Sequence, residues 1–352
     1  MTVPRPAGVP EAPGRPRPAV GPAGSPIPAG VPAIEAEGLT KRFGDHEAVS
    51  GVDFTVAPGE VFAFLGPNGA GKSTTINMLC TLALPTAGHA RVAGFDVELQ
   101  PRAVRRHIGL VFQEQTLDDQ LTAEENLRFH AVLYRVPREQ IDERVARVLD
   151  LVALSDRRRD LVSTFSGGMA RRLEIARGML HTPSVLFLDE PTIGLDPQTR
   201  ALMWEDVLRL RREEGVTIFL TTHYMDEAEY ADRIAIIDGG TIVALDTPAA
   251  LKGLVGSDTV QLQTADDAVA ARSLRLLGRS VQETSEGLVV FADDGESQVA
   301  DLVVGAGVPV RKVHVHTPTL DDVFMHFTGR QIREQRADTS TAMQRAWRGR
   351  HH

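Results

Sequence analysis

A single cysteine, Cys80, occurs in a chain of 352 residues. A lone thiol excludes a disulfide framework and any cysteine-rich zinc site. Long apolar runs are missing too. Stretches such as Val61 to Leu65 fall far short of the roughly 20 residues that span a bilayer, so no segment is expected to cross a membrane unaided. The N-terminal arginines have no apolar stretch behind them, which is not the pattern of a secretory signal. Positive charge is in deficit: 38 Lys plus Arg against 47 Asp plus Glu leave a formal charge of −9. That balance argues against general nucleic-acid binding, which would show as a basic stripe. What is present, 42% hydrophobic and 24% charged residues, is the composition of a globular protein with a real core, expected in the reducing cytoplasm. At roughly 150 residues per domain, the length implies about two domains.

Ten of the 21 prolines precede Ala33, among Gly and Ala and almost no large apolar side chains. Such a segment cannot bury enough surface to offset its ordering entropy, so residues 1–32 are expected to form a disordered tail. From there to about Gly256, short apolar strands alternate with helical stretches, the pattern of a mostly parallel sheet flanked by helices. The strands are expected at Val61 to Leu65, Ile108 to Phe112, Val185 to Leu188, Thr217 to Thr221 and Ile234 to Ile237. A long helical insertion runs from Thr122 to Leu154, and Thr122 and Glu125 have the spacing of a capping box at its start. After Gly256 the order is strand (Thr259 to Gln263), helix (Ala265 to Leu277), strand (Gly287 to Phe291), helix (Gln298 to Gly305), strand (Val310 to His316) and a last short helix. This reads as a small α+β domain over 257–330. Residues 331–352 are Arg-rich and polar and are expected to fray. No internal repeat is found.

Gly66, Pro67, Asn68, Gly69, Ala70, Gly71, Lys72 and Ser73 follow an apolar strand and open a helix, the context a phosphate-binding loop requires. Its glycines let backbone N–H groups turn inward around a triphosphate, and the helix N-terminus adds its positive end. Lys72 would reach the β- and γ-phosphates and Ser73 would ligate magnesium, so ATP or GTP binding is expected. A magnesium nucleotide needs a carboxylate near the loop. Val185 to Leu188, an all-apolar stretch of the kind found in buried parallel strands, ends in Asp189 and Glu190. Asp189 would hold magnesium through water, and Glu190 would take the proton of the attacking water.

Ser166, Gly167, Gly168 and Met169 begin a helix whose apolar positions Leu173, Ala176 and Leu180 recur at helical spacing. A Ser-Gly-Gly helix start exposes amides, a hydroxyl and a dipole to an anion. One phosphate cradle already exists in the chain, so this second one implies a γ-phosphate brought from elsewhere. Here the sequence resembles the ATP-binding cassette ATPases, whose signature lies between the loop and the carboxylate strand; Met169 stands where the family usually has Gln. The resemblance covers about Ile34 to Gly256. It implies an α/β fold of the P-loop NTPase type over 33–256. That fold has a mostly parallel sheet core, an antiparallel β edge and a helical subdomain at about 114–182, joined here to the small C-terminal α+β domain. It also implies two cassettes packed head to tail, so that Ser166, Gly167 and Gly168 of one close on ATP held by Gly66 to Thr74 of the other.

The same resemblance assigns further positions. Gln113 matches the glutamine that senses magnesium and water and moves with the transmembrane partner. His223 matches the switch histidine that contacts the γ-phosphate, and Asp196 matches the D-loop aspartate at the dimer seam. Phe43 sits where the family stacks an aromatic ring on adenine, a contact tolerant of base identity. Other features are read as structural: Arg157, Arg158 and Arg159 as a solvated turn, since only four of the 38 basic residues are lysines; His314 and His316 as strand residues without a third metal ligand; Cys80 as a small core residue.

Chromosome and repair ATPases of this superfamily carry long coiled coils or zinc cysteines, and ribosome-acting relatives carry two cassettes. This chain has none of these, which leaves a peripheral transporter subunit. Leu117 to Thr122 (Leu-Asp-Asp-Gln-Leu-Thr), Phe165 to Met169 and Thr319 to Phe324 (Thr-Leu-Asp-Asp-Val-Phe) resemble the daunorubicin and doxorubicin resistance group. This wider resemblance covers most of 34–330. It implies a cytoplasmic-face, peripheral ATPase that works as a homodimer with a separate integral membrane permease and moves an amphipathic drug or antibiotic outward, with ATP and Mg2+ as its ligands. The alternatives are a non-transport ATPase that regulates or assembles a soluble partner, and a nucleotide-gated binding module with little hydrolysis. The intact Glu190 argues against the second.

Overall fold

The computed structural model describes residues 27–329. The tails expected at 1–32 and 331–352 lie outside them, apart from the short stretch 27–32, which has no helix or strand. The described residues divide into two compact units, one formed by 27–64, 69–222 and 239–241, the other by 65–68, 223–238 and 242–329.

The first unit opens with strands β1 (Ile34–Phe43) and β2 (His46–Val56), followed by β3 (Val61–Leu65), helix α1 (Lys72–Leu79), β4 (Ala87–Val92) and β5 (Phe95–Asp96). Then come α2 (Pro101–His107), β6 (Ile108–Val111), α3 (Ala123–Leu133), α4 (Ile141–Leu151), α5 (Gly167–Met179), β7 (Val185–Asp189), α6 (Pro197–Glu214) and β8 (Thr217–Thr222). Strands β2, β1, β4 and β5 make an antiparallel sheet in that order, and β3, β8, β7 and β6 are successive neighbours in another. The pairs β6–β7 and β7–β8 are parallel, and every residue of β3, β7 and β8 is buried. A parallel strand covered on both faces has to be apolar throughout, which is why Val185 to Leu188 shows no alternation. In a chain with only 5% aromatic residues, Phe54, Phe62, Phe64, Phe187 and Phe219 gather in one cluster with ring centroids 5.5–5.9 Å apart.

The insertion expected as one long helical stretch is two helices, α3 and α4. The break falls where Arg135 takes φ 59° and Pro137 follows, a residue that cannot continue the donor pattern of α3. The capping box is present: Thr122 N–H donates to Glu125 Oε2 at 2.9 Å and Glu125 N–H to Thr122 Oγ1 at 3.2 Å. Strand β6 stops at Val111, one residue before the expected end.

The second unit contains α7 (Met225–Ala228), strands β9 (Arg233–Asp238) and β10 (Thr241–Asp246), and α8 (Pro248–Val255). It continues with β11 (Asp258–Thr264), α9 (Asp267–Leu276), β12 (Val281–Thr284), β13 (Gly287–Ala292), α10 (Gly295–Gly305), β14 (Val310–His316) and α11 (Leu320–Thr328). The order β12-β13-β11-β14, antiparallel at every step, closes a sheet whose inner face packs Val260, Leu262, Leu288 and Val290 against Ala270, Leu274 and Leu302 of α9 and α10. At Gly287, with φ 126°, a Cβ would fall on the Leu262 carbonyl, so only glycine fits there. Helix α11 starts with its own capping box between Thr319 and Asp322 and packs on α8.

Candidate nucleotide site

The Gly-rich loop joins β3 to α1. Gly69 and Gly71 take φ 80° and 107°, and at Gly66 a Cβ would fall on the Ile237 carbonyl oxygen, so the turn depends on glycine at these positions. The loop delivers Lys72 to the first position of α1. Its side chain is only 4% exposed, and Nζ lies 3.1 Å from Glu190 Oε1. Burial holds the ammonium below its usual pKa, against the opposing pull of Glu190 and Asp189. One residue on, Ser73 Oγ donates to Asp189 Oδ1 at 3.2 Å, and the same oxygen accepts from Thr221 Oγ1 at 2.5 Å. The Gly-rich loop and the carboxylates, 116 residues apart in sequence, thus meet through two direct side-chain contacts.

Glu190 sits just beyond β7 with φ 46°, a conformation that costs a non-glycine residue on the order of 1–3 kcal/mol and persists only where the surroundings enforce it. Two groups enforce it. The Glu190 N–H donates to the carbonyl and the hydroxyl of Thr221, each at 3.1 Å, and its carbonyl accepts from Arg171 Nη2 at 3.3 Å. Neither Thr221 nor Arg171 was singled out from sequence. No local motif marks them, because the groups they fix in the carboxylate turn and at Phe112 lie 18 to 59 residues away.

The second helix start differs. Ser166 and Gly167 at the head of α5 are exposed, and Ser166 Oγ accepts only the Met169 N–H, at 3.3 Å, as a helix cap. Gly168 is buried, and a Cβ there would overlap the Thr199 side chain on α6. Asp196 caps α6, accepting from Thr199 N–H at 3.0 Å and Thr199 Oγ1 at 2.5 Å, and these bonds hold its carboxyl below the usual range. Leu117 to Thr122 is stitched to the stretch preceding Ser166: Val162 N–H donates to Leu121 O and Ser163 N–H to Asp119 O, both at 3.0 Å.

Gln113 is exposed just past β6. Phe43 is 54% exposed, with Lys41 Nζ 5.0 Å from its ring centroid. His223 belongs to the second compact unit and the carboxylates to the first. The structure therefore brings Lys72, Ser73, Asp189 and Glu190 together and leaves Phe43, Ser166 and Gly167 open.

The remaining features have structural surroundings. Arg157 pairs with Asp160 at 2.7 Å, and Arg158 grips Glu124 with two N–H groups at 2.8 and 2.9 Å, so these two arginines are engaged in internal ion pairs. His316 faces Asp322 at 3.6 Å. Among the described residues no group of three or more His, Cys, Asp or Glu forms a metal cage. Cys80 is buried, and burial raises its thiol well above the usual pKa, which leaves it inert. The oxygen-only pair of Ser73 hydroxyl and Asp189 carboxylate fits Mg2+, a hard ion that takes few protein ligands beside substrate phosphates.

A model of the ABC transporter family matches residues 49–193. The daunorubicin/doxorubicin resistance ATP-binding protein DrrA of Streptomyces peucetius is 42% identical over 307 residues, which cover 84% of this chain and 92% of that protein. The daunorubicin resistance ATP-binding protein DrrA2 of Streptomyces coeruleorubidus is 39% identical over 320 residues, 87% of this chain and 98% of that one. Among solved structures, the dimeric ATP-binding cassette MJ0796 in a post-hydrolysis state with ADP and Pi superposes with a TM-score of 0.55 at 27% identity, covering 61% of this chain and 98% of that one.

Proposed function

The chain belongs to the ABC transporter ATP-binding proteins, and from that premise we propose that it works as one of two identical ATPase subunits powering a separate membrane permease that expels an amphipathic drug or antibiotic. It is an ATP-binding, ATP-hydrolysing subunit of an export system. The observation that carries the finer reading is the contrast between its two helix starts, one buried among its own carboxylates and one open. The start Ser166 to Gly168, open at Ser166 and Gly167, is completed when it closes on ATP held by the loop of a second copy. The dimeric state of the cassette MJ0796 supports this arrangement, and the drug-resistance names of the Streptomyces relatives support the cargo class.

In this reading the backbone N–H groups of Gly66 to Thr74 cradle the phosphates, and Phe43 stacks on adenine. Lys72 is paired with Glu190. A triphosphate competes for the ammonium and frees the Glu190 carboxylate to take a proton from water, while His223 and Gln113 orient the γ-phosphate and the attacking water. Ser73, Asp189 and Gln113 would hold Mg2+, which would supply positive charge against the triphosphate. Closure shifts the surface around Gln113 and α3, which the permease grips. Among the described residues no helix is long and apolar enough to cross a membrane, in keeping with a peripheral subunit at the cytoplasmic face. Residues 257–330 act as an accessory domain of the same subunit.

The test is reconstitution in inverted vesicles with a membrane permease of the same export group. ATP-dependent uptake of a fluorescent anthracycline should require the permease and be lost with Lys72→Ala. Uptake without any permease, or full ATPase activity in the Lys72→Ala protein, would overturn the reading.

A further inference from the structure

Helix α5 carries a buried polar row that the nucleotide site does not account for. Arg171, Glu174 and Arg177 follow one another at three-residue steps, and all are at least 95% buried. Charges so deeply buried need paired partners. Arg171 has its full set. Its Nε donates to Pro191 O at 2.7 Å, Nη2 to Asp189 O at 3.2 Å and Glu190 O at 3.3 Å, and Nη1 to Glu174 Oε2 at 2.8 Å and to Phe112 O. All five N–H donors of the planar guanidinium are engaged. Three of the acceptors are consecutive carbonyls of the carboxylate turn, and a fourth belongs to the residue before Gln113. Glu174 extends the tie: its Oε1 accepts from Thr116 N–H at 2.7 Å and Thr116 Oγ1 at 3.1 Å, and Arg177 donates to the same hydroxyl.

We infer that Arg171 is a positioning residue that locks the Gln113–Thr116 segment to the Asp189–Pro191 turn, so that displacement of one moves the other. The argument is geometric. With all five donors engaged, a shift of the Phe112 carbonyl either breaks a charge-assisted bond inside the core or turns the guanidinium after it, and turning would drag Glu190, whose φ of 46° is already held by Thr221. Glu174 and Thr116 fasten the far end of the segment to the same helix, so the linkage is a continuous chain of hydrogen bonds. Within the proposed transport cycle, this makes α5 the part that reports the state of the permease-facing segment to the general base. That functional consequence rests on the reading of Glu190 and Gln113, whereas the mechanical coupling does not.

Hydrogen exchange of the full chain, with and without a non-hydrolysable ATP analogue and Mg2+, separates the two. In the wild type, nucleotide should change exchange in the 113–121 and 190–195 peptides together. In Arg171→Gln the 190–195 peptide should still respond while 113–121 falls silent, with the KM for ATP within twofold and kcat reduced at least tenfold. Arg171→Lys, which restores one charged donor, should recover part of kcat. Thr116→Val, which removes only the hydroxyl shared with Glu174 and Arg177 and keeps the Thr116 N–H bond to Glu174, should weaken the 113–121 response by about half. Wild-type exchange in both peptides of Arg171→Gln and Thr116→Val, with kcat within twofold, would overturn the inference. If Glu190→Gln instead kept the wild-type kcat, the reading of the base would fail while the exchange result would still decide the coupling.

Discussion

The starts of α1 and α5 are both glycine-flanked helix N-termini suited to an anion, yet the fold treats them oppositely. At α1 the chain surrounds the helix end with Lys72, Asp189, Glu190 and Thr221, all buried. At α5 it leaves Ser166 and Gly167 in solvent and buries its charges further along the helix, at Arg171, Glu174 and Arg177. A helix end with its own charged side chains can hold a ligand within one chain. An open one has only amides and a dipole to offer, and these gain strength when a second surface excludes water. On the proposed reading, the contrast gives the chain one complete half and one incomplete half of a phosphate site.

The largest effects should come from breaking the buried half. Glu190→Gln should lower turnover about 10²–10⁴-fold, the usual range for losing a general base, while ATP binding persists; equilibrium binding and steady-state hydrolysis check this. Lys72→Ala should weaken ATP binding and turnover together. Breaking the open half should look different. At Gly167 an added side chain meets only Leu195, at 3.7 Å, so Gly167→Asp should fold normally and bind ATP as the wild type does. It should still lose at least about a hundredfold in turnover, because like charges ~4 Å apart near a surface repel by roughly 4 kcal/mol. Unchanged turnover in Gly167→Asp would erase the contrast.

Two smaller effects sharpen it. Thr221→Val removes the hydroxyl that donates to Asp189 and accepts from the Glu190 N–H, so it should cost about 1–3 kcal/mol of stability in thermal melts, with a partial loss of kcat. Near α5, Arg158 above all, aided by Arg128, holds Glu124 at a pKa of about 2, below its ordinary 4.5. A depressed carboxylate contributes stability that is fully present above pH 4.5 and is lost as pH falls toward 2. Glu124→Gln should therefore flatten acid unfolding in that window, read by circular dichroism, and leave turnover at neutral pH nearly unchanged.

Much of the molecule was legible in its sequence because the relevant signals are local. Strands β3, β7 and β8 are short, apolar and punctuated; the loop from Gly66 to Ser73 needs glycines at fixed steps; Thr122 and Glu125 cap each other within one turn. The long antiparallel strands β1 and β2 are less regular. Their register shifts at bulges near Gly38, at φ 57°, and Gly51, at φ 59°, which blurs any two-residue alternation. Strand β12 has four residues, mostly exposed, and shows no apolar pattern. In the site, Lys72, Ser73, Asp189 and Glu190 announced themselves by motif. Arg171 did not, since an arginine in an arginine-rich helix reads as a surface cation until the fold buries it against four carbonyls.

The central claim is that the open start of α5 completes the site of a second copy. The most direct measurement is the mass of the Glu190→Gln protein by size exclusion with light scattering, with and without Mg2+ and ATP. The account predicts a monomer that becomes a dimer only with ATP, and no such shift when Gly167→Asp is added. A Glu190→Gln protein that binds ATP and stays monomeric at every concentration, or a dimer indifferent to Gly167→Asp, would contradict it.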